Sequence, residues 1–244
     1  MATTTKKLFK TYPIDSFTEY LEVIEELANF DLLIFRGQPC DKPLLPKIAR
    51  LVSEVSDIKQ FEKKTFSEFK RKCLPYLKTP ITNDWDLLAI AQHFTLPTRL
   101  LDWTENPLTA LWFACQHDNP KDVNGVVWMF DVPEVDVVSV QNKQSPFDGN
   151  RTRVFKPNHI TERITSQAGW FTVHKYIDEN KKFISLENNK IYSSELTKFI
   201  IPSKLFAECR VKLSKMGINY ATVFPDMEGL CRHIEWSNLK LERY

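Results

Sequence analysis

Four short stretches of this chain set hydrogen-bonding side chains among residues that a fold would bury. The first is Phe35-Arg36-Gly37-Gln38. Arg36 offers a planar charged fork suited to phosphate, Gln38 adds a directional donor, and Gly37 lets a backbone come close to a ligand. An equally physical reading has Arg36 pairing with a carboxylate such as Asp102 while Gly37 simply turns the chain. Cys40 follows in Gln38-Pro39-Cys40-Asp41, but no neighbouring histidine is there to activate it as a nucleophile.

The second stretch, residues 91–114, carries Gln92, His93, Thr98, Arg99, Asp102, Trp103, Thr104 and Asn106. Buried polar groups cost free energy unless partners meet them, so these satisfy either one another or a ligand. A helix N-terminus near Asn106 would present free N–H groups to an anion, and Trp103 could stack on a ring. Thr104 and Asn106 also read as caps, and Trp103 as core. His93 suits either a general acid or a structural hydrogen bond. The third stretch, 163–174, holds Gln167, Gly169, Thr172 and His174; the fourth, 224–230, holds Asp226 and Glu228. Either of the last two carboxylates could be catalytic, though Asp226 also fits a helix N-cap.

The elements that must position these groups are legible from periodicity and punctuation. Ser16-Phe17-Thr18-Glu19 has capping-box form before a helix through Leu27. Residues 31–37 read as a buried strand and 58–74 as a helix. Asn83 caps a helix that ends at Gln92 and His93; a strand follows at 98–103, and Asn106-Pro107 starts the next helix. Strands are expected at 125–132, around 170–174, at 196–202 and at 220–225. Ser203 is expected to cap a helix stopped by Gly217, with Met227, Leu230 and Ile234 on a last one. The irregular alternation of strands and helices predicts an α+β fold of mostly antiparallel sheets flanked by helices.

Composition narrows the function classes. With 33 basic and 31 acidic residues the chain has no global field that would draw nucleic acid or a membrane. The basic runs at 59–73 and 151–157 read as solvated surface, with acids interleaving the first. No apolar stretch suits a signal peptide or a membrane span. Five scattered cysteines suggest reduced thiols and a cytoplasmic protein, and the absence of CxxC or HExxH spacing argues against a metal site.

Together, "FRGQ", "LAIAQHFTLPTRLLDWTENPLTALWFA", "RITSQAGWFTVH" and "GINYATVFPDMEGL" resemble the FRG domain, a bacterial family named for its Phe-Arg-Gly signature. The likeness runs from about residue 15 to 235 and implies one domain over 1–244. A more distant resemblance links the chain to ADP-ribosyltransferases. Phe35-Arg36-Gly37 is similar to their first strand, whose Arg contacts the phosphate or ribose region of NAD, and "LLDWTENPLTALWFA" is similar to a later strand and helix. This implies an ADP-ribosyltransferase-like fold, NAD as substrate, and a protein or nucleic-acid acceptor or water. It also implies a toxin or anti-phage effector. In that family a catalytic Glu opens another strand; here Gln167 stands near that position, with Glu162 and Glu228 as substitutes. Arg36, His93, Gln167, His174 and Glu228 are thus the catalytic candidates. Arg36, Gly37, Gln38, Thr98, Arg99, Asp102, Trp103, Thr104 and Asn106 are the NAD-binding candidates. A non-enzymatic module that recognises a nucleotide or signal in the same pocket is the alternative.

Overall fold

Strand β4, Gly125–Asp131, is buried at every position but the last, which places it inside a sheet covered on both faces. In the computed structural model, which describes residues 9–27, 32–51, 54–77, 79–118, 120, 122–138, 145–158, 166–179 and 181–241, it is the third strand of that sheet. The other strands are β1 Lys10–Pro13, β2 Leu33–Gln38, β3 Leu100–Thr104, β5 Val137–Val138, β6 Arg153–Phe155, β7 Gly169–Val173, β8 Tyr176–Ile177, β9 Lys182–Phe183 and β10 Leu196–Ile201. The main sheet runs β1-β10-β4-β2-β3-β7-β6-β5, and β8 pairs with β9 apart from it. Within the main sheet, β1–β10 and β5–β6 are parallel and the remaining pairs antiparallel. The chain therefore adopts a mixed fold around a curled, mostly antiparallel sheet, as expected from its α+β pattern.

The helices are α1 Phe17–Leu27, α2 Ile58–Lys72, α3 Asp84–His93, α4 Pro107–Cys115, α5 Phe206–Lys215, α6 Tyr220–Val223 and α7 Met227–Leu241. Two apolar clusters lock helices to the sheet. Phe35, Val127, Met129 and Phe199 face α1, α4 and α5. Leu100, Phe155, Phe171 and Val173 face α2 and α3. A third cluster, without residues of α1–α7, packs Ile34, Trp128, Phe130, Leu101 and Trp103 with Leu44, Leu186 and Tyr192. Burial of such side chains stabilises by about 1.5–3 kcal/mol each.

The punctuation acts largely as read. The Ser16 hydroxyl accepts from Glu19 N–H at 3.0 Å, and Glu19 reaches back to Asp15 N–H. Asn83 Oδ1 accepts from Asp86 N–H at 2.8 Å, and Gly217 ends α5 at φ +83° with Ile218 N–H returning to the Leu213 carbonyl. Two expectations are corrected, and the last helix forms as expected with its apolar stripe exposed. Residues 220–223 are helical, because Asn219 and Thr222 close a capping box that outweighs their β propensity. Ser203 opens a short 3₁₀ turn with no side-chain cap. The apolar stripe of α7 faces solvent, with Met227 73% exposed and Leu230 and Ile234 exposed too.

Gly37 also has a role other than the one its motif suggests. A Cβ there would lie 1.7 Å from the Ala110 carbonyl oxygen and 2.8 Å from Ala114 N. The glycine lets α4 lie directly on β2.

Candidate functional site

Strands β2 and β3 pair at one position, Phe35 with Thr104, while β2 follows β4 for six residues and β3 follows β7 for five. The two halves of the sheet part beyond that point. Arg36 bridges them, donating from Nη1 to the Asp102 carbonyl at 2.7 Å, with the Asp102 carboxylate 3.8 Å away. A cavity of about 470 Å³ opens here, lined by Arg36, Gly37 and Gln38 of β2, Gln92 and His93 of α3, Asp102, Trp103 and Thr104 of β3, and Gln167. Its size falls in the range of small-molecule sites.

The electrostatics of this cleft are one-sided. Arg36 has a guanidinium Nε with no partner among the described residues. Burial lowers its pKa; Asp102 opposes that, and the positive charge of Arg50 adds to it. Arginine stays protonated regardless, so the lowering expresses chiefly the cost of holding its charge away from water. Gln38 is buried, and its Oε1 also lacks a partner among the described residues. Lys42, Lys47 and Arg50 line the same cavity, and Asp102 is the one carboxylate that does so among the described residues. The sequence reading passed over those three cations; their signal is cations at 42, 47 and 50, directly after the FRG motif and spaced by apolar Leu44 and Ile48.

Asp102 is held by a defined relay. The Thr98 hydroxyl donates to Gln92 Oε1 at 2.7 Å, which turns Gln92 Nε2 to donate to Asp102 Oδ2 at 2.9 Å. The carboxylate stays 54% exposed on the cleft. Thr98 thus supports the site from behind, without lining it. His93, in the last turn of α3, lines the cleft with its ring edge-on to Phe94. Trp103 is core, its Nε1 donating to Thr172 Oγ1 at 3.0 Å. The Thr104 hydroxyl donates to the Gln167 carbonyl, and the Gln167 amide donates to the Val223 carbonyl at 3.0 Å. Gln167 is therefore at the cleft, with its amide tied to α6.

Several expected site residues lie elsewhere. Arg99 is buried against Glu62, its Nε 3.0 and 3.1 Å from the two carboxylate oxygens, and packs on the Phe147 ring. Asn106 caps α4, its Oδ1 accepting from Leu108 and Thr109 N–H, so the helix N-terminus is satisfied internally. His174 is fully buried and outside the cleft; its Nε2 meets Thr172 Oγ1 at 3.2 Å, and burial lowers its pKa to about 3. Glu228 is 72% exposed on α7 and pairs with Arg232, while Asp226 accepts from Gly229 N–H as a cap does. Glu162 lies outside the described residues. The two basic runs are largely spent on internal pairs, Lys70 with Asp84, Arg151 with Asp136 and Lys156 with Glu105 among them. Among the described residues no helix is long and apolar enough to cross a membrane.

The geometry thus defines a mixed α/β protein with a cationic cleft at a split in its sheet. Residues 31–123 match the model of the FRG domain family. That stretch contains β2, the Lys42–Arg50 segment, α3, β3 and α4, and so most of the cleft's lining. No curated protein and no solved structure matches the chain.

Proposed function

We propose that the cleft binds a nicotinamide dinucleotide and breaks its glycosidic bond, passing ADP-ribose to a protein, a nucleic acid or water. The observation that carries this reading is Arg36, under-neutralised on the cleft beside its lining carboxylate, Asp102. The resemblance of Phe35-Arg36-Gly37 to the first strand of ADP-ribosyltransferases adds to it. Arg36 takes a phosphate of the ligand in charge-assisted hydrogen bonds. As the C–N bond breaks, its electron pair leaves on nicotinamide and positive charge grows on the ribose ring. In this reading Asp102, whose carboxylate is oriented by Gln92, supplies the negative charge that stabilises that ring. Water or an acceptor hydroxyl adds to the ring carbon, and its proton passes to His93 or to solvent. Such an activity suits a toxin or an anti-phage effector.

A second reading, a nucleotide-recognition module without chemistry, draws on Gln167. This glutamine falls near the position where the resemblance to ADP-ribosyltransferases calls for a Glu, and its amide is tied to Val223. Incubating the protein with NAD and cell extract, and following free nicotinamide and ADP-ribose adducts by mass spectrometry, separates the two. The proposal expects release that Arg36→Ala abolishes and that Asp102→Asn slows at unchanged NAD affinity. Intact NAD in every extract overturns it, and calorimetric nucleotide binding without release then supports the module.

A further inference from the structure

The segment after β2 is anchored by its apolar residues and presents its charged ones to the cleft. Leu44 and Ile48 are fully buried. Leu44 N–H donates to Glu187, Leu186 N–H to the Leu44 carbonyl, and Ile48 N–H to the Thr98 carbonyl. Lys47 Nζ donates to the Thr95 carbonyl at 2.6 Å, holding a turn whose Thr95 has φ 66°. The backbone beneath Lys42, Lys47 and Arg50 is therefore fixed.

The acids that could neutralise these cations are engaged. Asp41 pairs with buried Lys198 and does not line the cleft, and Asp102 is taken up by Gln92 and Arg36. Lys42 and Arg50 form no ion pair among the described residues. Cations left unpaired in a concave site focus a field that draws anions. Arg50 lies close enough for its charge to weigh on Arg36. An anion between them relieves that repulsion, and two linked phosphates reach both sides better than one.

We propose that Lys42, Lys47 and Arg50 form a second anion subsite that, together with Arg36, takes the diphosphate of a nucleotide ligand. This rests on the reading that a nucleotide occupies the cleft; cleavage of that nucleotide is a separate matter.

Calorimetry on the full chain with AMP, ADP and inorganic pyrophosphate tests it. ADP is expected to bind about tenfold more tightly than AMP, the scale of one further charged hydrogen-bond set. The double variant K42A/R50A is expected to erase that gap by weakening ADP binding far more than AMP binding, and to flatten the salt dependence of ADP binding. Lys47 stays in place because it holds the Thr95 turn, and circular dichroism checks that the variant folds. Equal affinity for AMP and ADP, no binding of ADP or pyrophosphate, or a gap that survives in the double variant overturns the subsite. ADP selectivity without nicotinamide release keeps the subsite and removes the proposed cleavage; release without ADP selectivity does the reverse.

Discussion

Replacing Gly37 with alanine separates a packing role for the FRG glycine from a ligand-contact role. The new Cβ would sit 1.7 Å from the Ala110 carbonyl oxygen, 2.8 Å from Ala110 C and 2.8 Å from Ala114 N. An ordinary carbon–oxygen contact is about 3.3 Å or more, so α4 would have to retreat by roughly 1.5 Å. It has little room to do so, because Trp112 of α4 packs edge-on against Tyr220 and Phe224, and the helix shares a buried cluster with Phe206, Cys209 and Leu213 of α5. Overpacking of this kind costs about 3 kcal/mol, which for a chain of this length lowers Tm by roughly 6–12 °C. Urea and thermal unfolding followed by circular dichroism measure the loss. Ala110→Gly added to Gly37→Ala is expected to restore nothing, because the clash is with main-chain atoms. Gly217→Ala is the yardstick: its φ of +83° with no neighbour near its Cβ predicts about 1 kcal/mol. A Gly37→Ala protein as stable as the wild type, with altered nucleotide binding alone, would refute the packing argument.

His174, whose folded pKa of about 3 lies below its ordinary 6.5, makes stability depend on pH. Between those values the unfolded chain binds the extra proton, so stability is full above about pH 6.5 and falls by about 1.4 kcal/mol per unit on acidification. Denaturation at pH 7.5 and 5.5 is expected to show this drop in the wild type and a smaller one in His174→Gln. Asn106→Ala removes the α4 cap and is expected to cost about 1 kcal/mol in unfolding while leaving nucleotide affinity intact in calorimetry.

The elements were readable wherever a local signal decides them. Asn83, the Asn106-Pro107 pair and Gly217 each act through hydrogen bonds within a few residues. Where local signals compete, propensity misleads: the aromatic and β-branched residues of Tyr220–Val223 suggest a strand, but the Asn219 box makes a helix. The periodicity of Met227, Leu230 and Ile234 reveals a shared face without revealing whether anything covers it. At the site, Arg36, Gln38, His93, Asp102 and Gln167 do meet on one cleft. Arg99 looked equivalent to Arg36 because its partner, Glu62, comes from the distant helix α2 and only tertiary packing joins them. The cationic wall escaped notice because a net charge of +2 averages a local surplus away.

The single rung of main-chain pairing between Phe35 and Thr104 has a wider meaning. The aperture of the cleft is set by side chains spanning a seam, Arg36 foremost, and not by a ladder of amides whose spacing is fixed. Substitution along that seam can widen or narrow the mouth without re-registering any strand, which gives a scaffold of this design latitude to exchange one guest for another.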